Sequence, residues 1–329
     1  MSEIELYGRV WSVTVSDGAT SYTWRDLPVI FSVKKTADMA PNDGEIKLLN
    51  LSSKSRQFIS EPGLKVTLTA GYEKLNAVIF TGNVEKISHA RDNGQWVTTL
   101  SCKDGAVGKR NIQISESIDK KTTAEDVIKR IIKKITGEGV QKVTVKGVEP
   151  IKEGSINVKP SVPAPAETPK TNQTAKRQVK SKQEKQKEAE LARSRAAKAK
   201  ADQATVNLSI TVGKTKIIRG NAFELLTALC DSMGLQATML DNKISVGPKD
   251  KPTDTTVSIL NKTSGLIGVP ELLENGWRFV SLLRSDMAPG KLVRVQSGIV
   301  SGDYLIKRIE HSGNSEAQEW YSKIEGIRQ

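Results

Sequence analysis

The sequence is poor in histidine, cysteine and aromatic residues and contains no long apolar run. Two histidines and two cysteines occur in 329 residues. His89 and His311 lie far apart, and neither has Cys or carboxylate neighbours at metal-ligand spacing. Both read as structural residues at the ends of strands, and no metal site is expected. Cys102 and Cys230 sit far apart in apolar surroundings and read as reduced, buried, small hydrophobes rather than a disulfide. An aromatic share of 5% and a hydrophobic share of 37% support a core but not a dense one, so part of the chain is expected outside any core. The start, MSEIELYGRV, has neither a basic nor an apolar signal region, and no signal peptide is expected. No stretch approaches the roughly 18 apolar residues of a membrane span, so no membrane insertion is expected. These absences point to a soluble protein made in a reducing cytoplasm.

The groupings that carry catalysis are lacking as well. Ser209, Ser258 and the other serines lie in no nucleophile elbow. Gly213-Lys214-Thr215 has no upstream glycine to complete a phosphate loop, and residues 105–108 do not open a dinucleotide-binding helix. Asp303 and Glu310 form at best a weak carboxylate pair and read as turn and surface residues. No catalytic, cofactor-binding or metal-binding residue is assigned, and no cofactor is expected. A hydrolase on a β scaffold would need a catalytic constellation that the sequence does not offer. The chain reads as a structural or binding protein, not an enzyme.

Basic charge is in excess: 50 basic against 37 acidic residues, a net +13. A balance of this sign favours a polyanionic partner. Much of it is local. Between Lys170 and Asp202 stand eleven basic and four acidic residues, more than half of the excess. This stretch follows Pro160, Pro163, Pro165 and Pro169 and is otherwise almost all Ala, Lys, Arg, Gln and Glu. Helix propensity is high there, but apolar positions are too few to bury a face. Residues 150–205 therefore read as a Pro-rich, then basic linker, flexible or helical. The alternative function is nucleic-acid binding through residues 170–202.

What the chain does contain is strands. Residues 3–15, 28–34, 44–50, 64–69, 78–87 and 96–102 alternate apolar and polar positions or are rich in β-branched residues, with Asp17-Gly18 as a turn. Ser52 can cap a short helical turn that Phe58 and Ile59 close onto the core. Residues 123–136 form a helix with an apolar stripe of Val127, Ile128, Ile131, Ile132 and Ile135. After a brief strand at 143–148 and the linker, a strand pattern returns at 208–218. Asn221 caps a second helix with a stripe of Phe223, Leu226, Leu229 and Cys230, followed by a hairpin turning at Asp241-Asn242. Residues 255–260 and 277–283 read as strands, and 265–270, GLIGVP, as a turn.

Residues 62–105 and 289–326 follow one plan. Pro62-Gly63 answers Pro289-Gly290, Gly71 answers Gly298, Gly82 answers Gly302, His89 answers His311 and Trp96 answers Trp320. Seven residues separate Gly82 from His89 and nine separate Gly302 from His311, which reads as divergence at loops. This predicts a duplicated β-module. The fold class expected is mainly β with an α/β insert: two tube-like antiparallel β-barrel domains, 1–118 and 251–329. A small α/β middle domain of 119–149 and 206–250 lies between them.

Several features resemble the C-terminal region of phage baseplate hub proteins. They are the GLIGVP segment, Ser281-Leu282-Leu283, Pro289-Gly290, Gly302-Asp303-Tyr304, His311-Ser312-Gly313 and Glu319-Trp320-Tyr321. Residues 220–248 are similar to that family's middle domain, and GEIKLLNLSSKSRQFI to the start of a tail-tube-type β-domain. The long basic linker departs from the pattern. The resemblance implies a virion protein of the tail baseplate: a homotrimer of pseudo-sixfold outline that joins the tail tube to the central spike. Its implied partners are a trimeric tail spike, the tail tube or a tube-initiator protein, a tape measure protein, and DNA only in passing through the lumen.

Overall fold

Alternation at period two turns successive side chains to opposite faces of a sheet, and most of this chain obeys it. The computed structural model describes residues 6–105, 112–118, 122–136, 216–253 and 256–329. The strand expected at 143–148, the linker at 150–205 with its basic run, Ser209 and Gly213-Lys214-Thr215 lie outside these residues.

The first β region comprises β1 (Arg9–Ser16), β2 (Ser21–Trp24), β3 (Val29–Thr36), β4 (Asp43–Leu49), α1 (Ser53–Ile59), β5 (Lys65–Tyr72), β6 (Leu75–Asp92) and β7 (Gln95–Lys103). In β3, Val29, Phe31 and Val33 are buried, whereas Lys34 points to solvent. Ser52 caps α1 by accepting the Ser55 N–H at 3.1 Å, and Ile59 is fully buried. Asp17 accepts the N–H groups of Ala19 and Thr20 at 2.8 and 2.7 Å. The turn it makes leads into β2, a four-residue strand too short to show a period. Asn93 and Gly94, both at positive φ, close β6 onto β7. Asn-Gly is the strongest short hairpin signal, and here it forms the two-residue turn.

The α/β unit has β8 (Gln113–Ile118) paired with β9 (Lys216–Asn221), helices α2 (Ala124–Thr136) and α3 (Ala222–Ser232), and the hairpin β10 (Leu235–Leu240) with β11 (Lys243–Pro248). Thr123 Oγ1 accepts the Asp126 N–H, and the Asp126 carboxylate accepts the Thr123 hydroxyl at 2.7 Å, so Asp closes this capping box in place of Glu. Ile128, Ile131, Ile132 and Ile135 pack with Leu225, Leu226, Leu229 and Cys230 in one core. Phe223 is only half-buried and Leu225 takes its place in the stripe.

The second β region holds β12 (Val257–Asn261), β13 (Leu266–Leu273), β14 (Gly276–Leu282), β15 (Leu292–Gln296), β16 (Ser301–Asn314) and β17 (Trp320–Arg328). The GLIGVP segment, expected as a turn, lies in the irregular edge strand β13. Its register to β14 shifts between Ile267 and Glu271, and Gly268 and Pro270 fall in that irregularity. An edge strand tolerates both residues because its outer side needs no ladder.

The two closed barrels expected from the sequence are not found. The strands instead form one 13-stranded open sheet in the order β13-β14-β17-β16-β3-β4-β7-β6-β5-β1-β2, with β15 on β16 and β12 on β15. Closure requires the end strands to pair. Among the described residues β13 and β2 end the path on opposite sides. The junction forms because β16 is long: residues 301–305 pair with β15, and 308–314 pair antiparallel with β3.

Within this sheet the order β3-β4-β7-β6-β5-β1 is repeated by β13-β14-β17-β16-β15-β12. Only the outermost pair differs: β1 is antiparallel to β5, whereas β12 is parallel to β15. His89 faces Thr98 and Arg91 faces Trp96; His311 faces Ser322 and Gly313 faces Trp320. Each long strand carries a bulge four residues before its histidine, at Glu85 and at Lys307. The two tryptophans thus occupy equivalent places on equivalent strands, as the duplication requires. The register also corrects the glycine alignment. Val66 faces Gly82 and its counterpart Val293 faces Tyr304, so Gly82 answers Tyr304 and no loop insertion separates the glycines from the histidines.

Candidate functional site: the charged face of the shared sheet

Residues directly opposite one another in a ladder point to the same side. Following the pairs across the sheet yields rows that cross from the second β region into the first. One runs Val280, Lys323, Glu310, Lys34, Asp43, Lys103. A second runs Glu271, Arg278, Glu325, Arg308, Thr36. A third runs Leu282, Tyr321, Ser312, Ser32, Glu45, Ser101, Lys86. The opposite face of the same strands carries Phe279, Ile324, Ile309, Val33, Ile46 and Leu100, all buried. One side of the sheet is therefore core and the other is a polar surface spanning both repeats.

Acids and bases alternate on that surface. Arg278 bonds Glu271 at 3.1 Å and Glu325 at 2.9 Å, and Arg308 lies 3.6 Å from Glu325. Lys34 lies 3.7 Å from Glu310, across the joint between the repeats. Lys47 lies 3.0 Å from Glu45, and Lys103 lies 3.6 Å from Glu85 and 4.0 Å from Asp43. A shallow groove lined by Ser32, Lys34, Asp43, Glu45, Glu85, Ser101 and Lys103 runs along the first repeat. Solvent-exposed pairs of this kind contribute about 0–1 kcal/mol each to stability. What they decide is the field at the surface, where Lys34, Lys47, Lys103, Arg278 and Arg308 are each met by a nearby carboxylate.

The joint between the repeats is buried. Trp320 is fully buried; it packs edge-on to Phe31 at 5.2 Å and to Trp11 at 6.1 Å, and its Nε1 donates to the Gly71 carbonyl at 3.2 Å. His311 Nδ1 lies 2.8 Å from the Ser322 hydroxyl, and burial pushes this imidazole down to about 3, so it is neutral. Beside it Arg284, fully buried, donates to the carbonyls of Ile259 and Ser264 at 3.0 Å and to Asp286 at 2.8 Å. Burial alone would raise Asp286, but the guanidinium outweighs it and holds the carboxyl below its ordinary range.

The α/β unit docks on the first repeat through the β10–β11 turn. Asp241 and Asn242 adopt the positive φ of this turn type. Asp241 accepts from Lys35 Nζ at 2.7 Å and from the Thr81 N–H at 2.9 Å. Fully buried Asp104 accepts from Asn42 and from the Asp241 N–H; burial raises its carboxyl despite these bonds.

No residue was assigned to catalysis, cofactor or metal from the sequence, and the groups weighed there take these places. Asp303 pairs with Arg294 at 2.7 Å, while Glu310 faces Lys34 and Lys323, so the two carboxylates do not act together. The Ser258 hydroxyl donates to Asp286 at 2.7 Å. Cys102 and Cys230 are free and buried, and burial pushes both thiols up to about 12. Among the described residues no three His, Cys, Asp or Glu side chains gather as metal ligands would. No helix among them is long and apolar enough to cross a membrane. The polar rows themselves escaped the sequence reading, because they exist only once the register between distant strands is known.

No curated protein matches the sequence. Solved structures of tail proteins share its fold over nearly the whole length. One is the tail protein from Neisseria meningitidis MC58, 11% identical, with a TM-score of 0.56 over 97% of this chain and 96% of that one. Another is the prophage MuSo2 43 kDa tail protein from Shewanella oneidensis, 11% identical, with a TM-score of 0.55 and 96% of each chain covered. At this identity the likeness is one of fold. The family model for the baseplate hub gp41 matches residues 157–326, more than half of the chain. The chain is thus a phage tail and baseplate structural protein, and it belongs to the baseplate hub gp41 family.

Proposed function

We propose that three copies of this chain close into a ring of near-sixfold outline that joins the tail tube to the central spike. The observation that carries this reading is the repeated strand order within one continuous sheet. A sixfold tube needs six similar surfaces and a threefold spike offers three sites. Three chains with two repeats each satisfy both, and closed cyclic symmetry is the usual outcome for such subunits. In this reading residues 1–118 and 251–329 carry the two tube-like units and 119–149 with 206–250 the middle unit, which also takes β8 at the end of the first stretch because that strand pairs with β9; 150–205 is the linker. The partners are a trimeric spike, the tail tube or a tube-initiator protein, and a tape measure protein. The assembled protein resides in the virion baseplate.

The charged face then lines the DNA channel. Counterion release makes free Lys and Arg bind phosphates tightly at low salt. A wall on which Lys34, Lys103, Arg278 and Arg308 already lie within 4.0 Å of carboxylates offers a passing duplex no such grip.

Electron microscopy of the purified protein and of assembled baseplates tests the reading. The expected image is a ring of threefold symmetry with six lobes. A monomer or dimer in the assembled particle overturns it.

A further inference from the structure

The joint inside the chain has a counterpart that is open. Residues 308–314 of β16 pair with β17 on one side and with β3 on the other. The equivalent half of β6, residues 85–92, pairs with β7 on one side, and among the described residues no strand pairs with the other. At the far end of the sheet, β13 is the counterpart of β3, and among the described residues it pairs only with β14.

Burial marks the same vacancy. His311 is 2% exposed and Trp320 is fully buried, whereas His89 is exposed and Trp96 is half-exposed. On β13, Ile267, Val269 and Leu272 are 37%, 65% and 72% exposed, three of the six exposed large hydrophobic residues among those described. Val33, the counterpart of Leu272 on β3, is fully buried by the joint. Soluble proteins blunt free edge strands with charge and avoid displaying apolar side chains there. An edge that breaks this rule is one that is covered in the working assembly.

We propose that residues 85–92 of β6 pair antiparallel with β13 of a second copy of this chain, so that each joint between subunits repeats the β3–β16 joint within one. The partner is a second copy because the template is the chain's own: each repeat offers one long strand and one edge strand, and β16 with β3 uses one of each. The pair left over, β6 and β13, lies on opposite repeats, and among the described residues the two do not pair within the subunit. Transferring the β3–β16 register places Asp92 opposite Ile267, Ala90 opposite Glu271 and His89 opposite Leu272. His89 then becomes covered as His311 is. The inference rests on the ring reading and states which edges close that ring.

The test is a cysteine pair across the proposed joint in the full chain. Cys102 and Cys230 are 3% and 1% exposed and give little background. Oxidised Ala90→Cys/Glu271→Cys protein is expected to run as covalent dimers and trimers on a non-reducing gel, while each single variant runs as monomer. Leu272→Lys is expected to shift the native mass from trimer to monomer, with a cooperative unfolding transition that no longer depends on protein concentration, because the side chain lies outside the monomer's core. A native trimer in which the cysteine pair fails to cross-link overturns the edge pairing and leaves the ring standing. A protein that stays monomeric by native mass and in assembled particles overturns the ring and the pairing with it.

Discussion

The two long strands β6 and β16 share a bulge, a histidine facing a hydroxyl and a hairpin partner with a tryptophan in its first two residues, yet they live in different environments. His89 lies 3.0 Å from Thr98 Oγ1 and 3.1 Å from Ser60 Oγ at an exposed edge. His311 makes the same kind of bond to Ser322 inside the protein. Trp96 lies against the guanidinium groups of Arg56 and Arg91, at 4.2 and 5.0 Å, where Trp320 is buried against Phe31 and Trp11 with the Arg9 guanidinium 5.5 Å from its ring. The lesson is that a repeat is not a domain in isolation. Its surface becomes core when a neighbouring repeat covers it, and the same residue types then carry very different free energies.

That contrast can be broken by measurement. The largest difference is expected at the tryptophans. Trp320→Ala should cost about 3–5 kcal/mol in urea unfolding, as buried aromatic truncations do. Trp96→Ala should cost only about 0.5–1 kcal/mol in the monomer, the scale of an exposed cation–π contact. Equal losses would mean that the two joints do not differ.

Gly313 and Arg91 come next. A Cβ on Gly313 would lie 2.4 Å from the Phe31 ring and 2.7 Å from Trp320. Gly313→Ala should therefore cost about 1–3 kcal/mol by overpacking. Arg91→Ala, at the equivalent open position, should cost about 0.5 kcal/mol or less. A neutral Gly313→Ala would show that the joint is looser than drawn.

The histidines separate the joints by pH. The buried imidazole of His311 is held down to about 3, below its unfolded value. The unfolded chain then takes up the proton first, so stability is unaffected above about pH 6.5 and falls below it, by about 1.4 kcal/mol at pH 5.5. His311→Gln should flatten that part of the pH–stability curve. His89 is lowered too, by partial burial and then by Arg56, but it remains exposed, so His89→Gln should leave most of the slope in place. A slope equally sensitive to both variants would refute the difference in burial.

The smallest change in stability is expected on the charged face. Replacing Glu45, Glu310 and Glu325 by Gln should cost under about 1 kcal/mol per site. The same triple variant should gain salt-dependent affinity for duplex DNA, with a steeper fall of log K against log salt as cations are freed to meet phosphates. Unchanged DNA binding would argue against that face as the channel wall.

Much of this architecture was legible in the sequence. The echo of His89 and Trp96 in His311 and Trp320 survives as equivalent strand positions, and Pro62-Gly63 and Pro289-Gly290 as equivalent turns before β5 and β15. The stripe of Val127, Ile128, Ile131, Ile132 and Ile135 packs as its spacing predicts. The Asp241-Asn242 turn is where its residue types place it. These are local features: periodicity, caps and turns are set by residues within one or two turns of chain, which the sequence states directly. The GLIGVP segment was misread for the same reason. Gly and Pro announce a break in local structure, and only its place at the sheet's end allows a strand there. The joint of β3 with β16, and with it the continuous charged face and the open edges of β6 and β13, was decided by tertiary structure alone. Alternation assigns the faces of a strand but not its neighbours. Backbone donors and acceptors are alike in every strand, so the pairing of residues 30–36 with 308–314 depends on which apolar surfaces, Phe31 and Trp320 above all, bury one another.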